Sequence, residues 1–193
     1  MLNEEARLKD PTVLDAVNSI LSSVGEGAVN SLVDLSDIDA INALVTLKTV
    51  NKSFQARGWS FNTFDDYVLT PDAINNRIIW TPELLSLKST DYTIIKRNNY
   101  VYNLDEQKYT WSKPITVEAI LQLDFSALPI QAQEYIIALA SSRFAARYLG
   151  DDSLSKLLNV EAQYKWMEFN EYEHTIVTSN ILSNTYISGV KER

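Results

Sequence analysis

Apolar residues follow two different rhythms along this chain, and the change comes at Gly58. From Val13 onward they recur at helical spacing: Val13, Val17, Ile20 and Val24 form one stripe, with Leu14 and Leu21 beside it. Asp10-Pro11 before the stripe reads as a helix start, an N-cap followed by a proline whose missing N–H costs nothing in a first turn. Gly25 reads as the stop, Glu26-Gly27 as a turn, residues 28–35 as a loop, and residues 1–9 as a polar lead-in. A second helix is expected from Ser36-Asp37-Ile38-Asp39, with Ser36 as cap and the aspartates at the positive end of the helix dipole. Ile41, Leu44, Leu47, Val50 and Phe54 make its expected buried face. It runs to Arg57, a length of ~33 Å at 1.5 Å per residue.

In Gln55-Ala56-Arg57-Gly58-Trp59-Ser60-Phe61-Asn62 the period changes from helix to strand. Glycine at 58 suits the left-handed residue that closes a helix. Trp59 and Phe61 then alternate with Ser60 and Asn62, a strand pattern. For the next sixty or so residues short β-forming runs, such as Trp59–Leu69, Arg77–Thr81 and Thr116–Leu123, alternate with turn residues. Tyr92–Arg97 and Tyr100–Leu104 flank Asn98-Asn99, which predicts a hairpin because asparagine tolerates positive φ.

Leu128-Pro129 opens a third helix, nearly apolar all round at Tyr135–Ala140 and therefore expected to be the most buried one. Gly150 ends it. Asp151 or Asp152 caps a fourth helix, which carries Leu154, Leu157, Leu158, Trp166 and Phe169 to about Thr175. The predicted fold class is α+β, a discontinuous bundle of about four helices with a β-rich insertion. Residues 1–58 and 126–175 form the helical domain, 59–125 the insertion and 176–193 a C-terminal arm. The arm is polar with spaced apolar residues. Ile181, Leu182, Tyr186 and Ile187 are its candidate anchors on a partner. Tyr100 and Tyr102 alternate onto one face of the hairpin and make a second candidate partner surface.

Composition narrows the chemistry. With no cysteine and one histidine among 193 residues, a disulfide framework, a zinc ribbon, a thiol nucleophile and a multi-histidine metal site are excluded. A net charge of −8 with scattered lysines and arginines argues against tight binding of nucleic acid. No leader and no membrane helix is expected, so the chain reads as soluble and made in a cytoplasm. The five glycines form no phosphate-binding loop, and no nucleophile elbow occurs. His174 reads as a solvated helix-end histidine or a catalytic one. Asp65-Asp66 and Glu171 with Glu173 are the carboxylate pairs that a glycan hydrolase could use. Trp59, Trp80 and Trp111 read as core. No residue is assigned a catalytic, cofactor or metal role.

Five stretches in order resemble the tail tubular protein A family, the head-to-tail adaptors of T7-like short-tailed bacteriophages. They are Ala16-Val17-Asn18-Ser19-Ile20-Leu21 with Val24-Gly25-Glu26, then Gln55–Asn62, then Leu69-Thr70-Pro71-Asp72-Ala73. Pro82-Glu83-Leu84-Leu85-Ser86-Leu87 and the run from Ala140 through Arg143 and Arg147 to Gly150 complete the set. The resemblance spans roughly residues 14–182 and is weak over Asp105–Lys113 and the last residues. It implies a virion structural protein without catalysis, located in the virion tail and assembled in the host cytoplasm. It further implies a dodecameric ring that joins the portal protein to the tail nozzle (tail tubular protein B). Such a ring carries the tail fibres and lets the genome pass its lumen without specific binding, and no membrane is involved. Twelve copies would carry a formal charge of about −96, a field that disfavours DNA adhesion. The alternative is a tail component that also hydrolyses polysaccharide through a carboxylate pair such as Asp65 and Asp66.

Overall fold

The fold is α+β. The computed structural model of the chain describes residues 12–33 and 36–183, which fall into two units cut between Phe54 and Gln55 and between Leu123 and Asp124. One unit is helical and built from two chain segments. The other is β-rich and continuous.

In the helical unit, α1 spans Val13–Ser23. Its cap is Thr12 rather than Asp10, which lies with Pro11 outside the described residues. The Thr12 hydroxyl accepts from the Asp15 N–H at 3.2 Å, and the Asp15 carboxylate accepts from the Thr12 N–H at 2.9 Å. This reciprocal box satisfies two otherwise orphaned donors. The other end closes at Gly25, φ +82°, where the Glu26 N–H reaches the Leu21 carbonyl at 3.0 Å. Helix α2 spans Ile38–Gln55 and is capped by Asp37, whose carboxylate accepts from the Ala40 N–H at 2.9 Å, one residue later than Ser36.

The buried apolar face of α2 is Ala40, Ala43, Leu47, Val50 and Phe54, so three of the five expected residues, Leu47, Val50 and Phe54, are buried. Ile41 is exposed and Leu44 only half-buried, because two alanines take the inward positions of the first turns. Helix α3, Ile130–Phe144, has no exposed residue from 131 to 142, in keeping with its apolar sequence. Alanines and serines at 138, 140, 141 and 142 let α1 and the last helix, α4 (Asp152–Ser183), pack closely on it. A π-helical turn, Ala145–Leu149, follows, and Gly150 at φ +64° ends the run.

Asp151 caps α4, Asp152–Ser183, accepting from the N–H groups of Ser153 and Leu154. The helix passes Thr175 by two turns. Ser, Thr and Asn cost only a few tenths of a kcal/mol each in a helix already nucleated, and neither Gly nor Pro intervenes before Ser183. Phe169 is fully buried, with ring centroids 4.9 Å from Phe54 and 5.9 Å from Trp166. Leu157, carried on the same helix, is exposed.

In the β-rich unit, β1 (Thr63–Leu69), β5 (Ile115–Leu121) and β2 (Leu84–Lys88) form an antiparallel sheet with β5 central. Strands β3 (Ile94–Arg97) and β4 (Tyr100–Asn103) form the hairpin, with Asn98 at φ +51° and Asn99 at φ +60° as its turn. Two β-forming runs are shorter than the sequence suggests. Trp59–Asn62 is a turn rather than the start of a strand, with the Asn62 and Thr63 N–H groups both donating to the Trp59 carbonyl. Arg77–Thr81 makes only isolated bridges to Thr110 and Tyr100, its first residue being held by backbone and side-chain bonds to Asp72. Trp80 and Trp111 are core, each donating its indole N–H to a carbonyl, of Leu84 and Val101 respectively. Val117 and Ala119 of β5 pack with them, as alternation predicts.

Candidate functional site

The junction octapeptide is built around two buried amides. Gln55 and Asn62 are both 0 % exposed. The Gln55 side chain donates to the Leu123 carbonyl at 3.0 Å and accepts from the Leu123 N–H at 2.7 Å, so it pairs with the chain as a strand neighbour would. Asn62 donates to the carbonyls of Gln55 and Leu121, both at 2.9 Å, and accepts from the Trp59 N–H at 2.8 Å. The first and last residues of the β-rich unit are thus tied by side-chain amides, which leave few of their own groups unpaired. Gly58 between them has φ +77°, and a Cβ there would lie 2.7 Å from Ile120 Cδ1. Periodicity located this junction but credited Trp59 and Phe61. The amides carry it, and no pattern of hydrophobicity marks a structural amide.

The hairpin face is a stack of rings and guanidinium groups. Tyr109 meets Tyr102 at 4.8 Å and Tyr100 at 6.4 Å, both edge to face. Arg97 sits 4.2 Å over the Tyr102 ring and Arg77 5.3 Å over that of Tyr100. Tyr102 is buried and Tyr100 half-buried, while Arg77 and Arg97 are exposed. Of the arm candidates, Ile181 and Leu182 lie in the last turn of α4, and Tyr186 and Ile187 lie outside the described residues.

Asp65 and Asp66 form a β-bulge opposite β5, with Asp66 at φ +57°. With Asp91 and Glu118 they line a shallow cleft of ≈ 260 Å³ that Lys88 shares. Asp65, Asp66 and Asp91 are exposed. A general acid of a glycosidase needs an apolar enclosure to keep its proton, and this cleft gives those carboxylates to solvent. His174 is exposed on α4, 3.1 Å from the Thr178 hydroxyl. Among the described residues no three acidic or histidine side chains are placed to hold a metal ion, and no helix is long and apolar enough to cross a membrane.

The helical unit shows two apolar stripes turned outward. On α2, Ile38, Ile41 and Val45 are 39–71 % exposed. On α4, Leu157, Val160, Tyr164 and Met167 are 47–68 % exposed. Sequence periodicity missed both as surfaces, since it counts an apolar residue at helical spacing as buried. The signal available was excess: each helix carries more apolar positions than one face can hold.

The described surface thus combines outward apolar helix faces with a stack of tyrosine rings and guanidinium groups, and holds no catalytic constellation among the described residues. The tail tubular protein family matches residues 14–178, and the chain belongs to that family. It is a structural component of a phage tail. Tail tubular protein A of Klebsiella phage KP34 is 27 % identical over 161 residues, 82 % of this chain and 86 % of that protein. The five stretches singled out above all fall within the matched residues.

Proposed function

We propose that this tail component is the head-to-tail adaptor, a homo-oligomeric ring, dodecameric on the portal, that joins the portal protein to the nozzle formed by tail tubular protein B. In this reading the ring continues the genome's exit channel, holds the tail fibres, assembles in the host cytoplasm and catalyses nothing. The observation that carries it is the family match over residues 14–178, which takes in the whole β-rich unit and most of the helical one, on a chain similar to a tail tubular protein A. A ring subunit must also offer two unlike faces, because head-to-tail contacts close only when different patches meet. The helical segments on either side of the insertion would meet the portal, with residues 176–193, including Ile181, Leu182, Tyr186 and Ile187, completing that contact. The insertion, with the Tyr100 and Tyr102 face, would meet the nozzle and fibres. The acidic balance suits a lumen that DNA must leave without adhering.

The test is the mass of the complex formed with the portal ring of the same phage, with its shape checked by electron microscopy. A ring of added subunits on one end of the portal is expected. Folded chain and folded portal that form no complex would overturn the adaptor reading.

A further inference from the structure

The two outward stripes of the helical unit share one spacing. On α2 the outward positions are Ile38, Ile41, Val45, Lys48 and Lys52, at intervals of three, four, three and four. On α4 they are Leu157, Val160, Tyr164, Met167 and Glu171, at the same intervals. Both are heptad seams, the pattern that lets one helix lay its knobs into another's holes. Each seam is apolar in its N-terminal part. The charge at the C-terminal end is positive on α2 and negative on α4. Among the described residues Lys48, Lys52 and Glu171 have no ion pair within the chain.

We infer that α2 of one subunit docks in parallel against α4 of the next copy of this chain, Ile38 opposite Leu157 and Lys52 opposite Glu171. The inference rests on the ring reading and names the subunit contact within it. In that register Ile41 meets Val160 and Val45 meets Tyr164. The Lys48 stem lies over Met167 with its ammonium near Glu168, since a lysine covers apolar surface with its methylenes and keeps its charge in water. The antiparallel alternative sets Lys52 against Leu157 and Glu171 against Ile38, two charges on apolar partners. Pairing α4 with α4 crowds Glu161, Glu168 and Glu171 of two copies along one seam, and a two-fold contact of that kind closes as a dimer rather than continuing round a ring. Joining α2 to α4 uses two unlike patches and leaves one of each free at the ends, which is what a ring requires. Five positions a side cover less than the about 800 Å² per partner of a stable independent interface. The contact therefore holds when subunits are lined up on a template and not in dilute solution.

The chain has no cysteine, so none of its own thiols adds background to cross-linking. Full-length V45C/Y164C would be assembled on the portal ring and oxidised. A ladder of cross-linked species beyond the dimer is expected, with no ladder from V45C or Y164C alone. In parallel, Lys52→Glu should lower the yield of assembled ring by about tenfold at low salt, and Lys52→Glu with Glu171→Lys should restore it. Rings that assemble without a ladder, and with Lys52→Glu as efficient as the parent chain, would overturn this contact and leave the ring reading standing. Cross-linked dimers from Y164C alone would overturn it in favour of α4–α4 pairing. A ladder from V45C/Y164C only after residues 184–193 are deleted would overturn it by showing the chain's own end on the seam. Parent chain that forms no ring on the portal would overturn the ring reading and this contact with it.

Discussion

Replacing Gln55 with methionine keeps the length and volume of the side chain and removes its two polar atoms. In the native chain those atoms hold both backbone groups of Leu123, at 3.0 and 2.7 Å. Two neutral hydrogen bonds contribute about 1 kcal/mol each to stability. The greater cost comes from the groups left behind: the Leu123 N–H and C=O lose their partner, at about 1–3 kcal/mol for each group left dry. Leu123 is only half-buried, so water can reach part of what the glutamine gives up. The expected loss is about 2–4 kcal/mol, a fall in melting temperature of roughly 4–16 °C for a chain of this size. The assay pairs a thermal melt with amide hydrogen exchange. The Leu123 amide, bonded to Gln55 at 2.7 Å, should be protected in the parent chain and exchange much faster in Gln55→Met, and the amides of β5 next to it should loosen in turn. A Leu123 amide equally protected in the variant, with a melt moved by less than about 1 °C, would refute the view that Gln55 closes the β-rich unit.

Gly58→Ala places a Cβ at φ +77° and 2.7 Å from Ile120 Cδ1, and should cost about 1–3 kcal/mol in chemical denaturation. Adding Ile120→Val, which removes that Cδ1, should recover the steric part alone. Asn99→Val in the hairpin turn, φ +60°, should cost about 1–3 kcal/mol, because a β-branched residue is strained there, while Asn99→Gly leaves the midpoint unchanged or higher. Thr12→Ala should cost about 1 kcal/mol through loss of the α1 cap. Hydrogen bonds from the Thr12 hydroxyl and then its N–H hold the Asp15 carboxyl below its ordinary 3.8. A lowered folded pKa adds stability that is present above the unfolded value and lost as pH falls through the folded one. The cost of Thr12→Ala should therefore be full at neutral pH and shrink in acid melts as pH falls below the ordinary carboxylate value and through the lowered one. A cost independent of pH would remove Asp15 from the cap.

Helix ends were legible where a residue acts on its own backbone. Gly25, Gly58 and Gly150 all have the positive φ their positions suggested, and Asp151 caps α4. Caps moved by one or two residues at Thr12 and Asp37, where several capping side chains compete and the geometry of the first turn chooses. The Asn98-Asn99 hairpin was legible for the same local reason. Which side of a helix faces inward was less so. Ile41 and Leu157 sit at helical spacing and point out, because inward positions are decided by what packs opposite, and small residues such as Ala40 and Ala43 fit closer than isoleucine.

The order of residues was enough to set the class of fold and, through five ordered stretches, the tail tubular protein family. These follow from local rules: periodicity, caps and turns act over a few residues, and a family signature is a property of order along the chain. It took the folded chain to bring Gln55 and Leu123, 68 residues apart, into one closure, and to turn two apolar stripes on α2 and α4 outward among the described residues. Both depend on partners distant in sequence. A buried amide is specified by the backbone group it meets, and an exposed apolar face by the absence of a neighbour among the described residues.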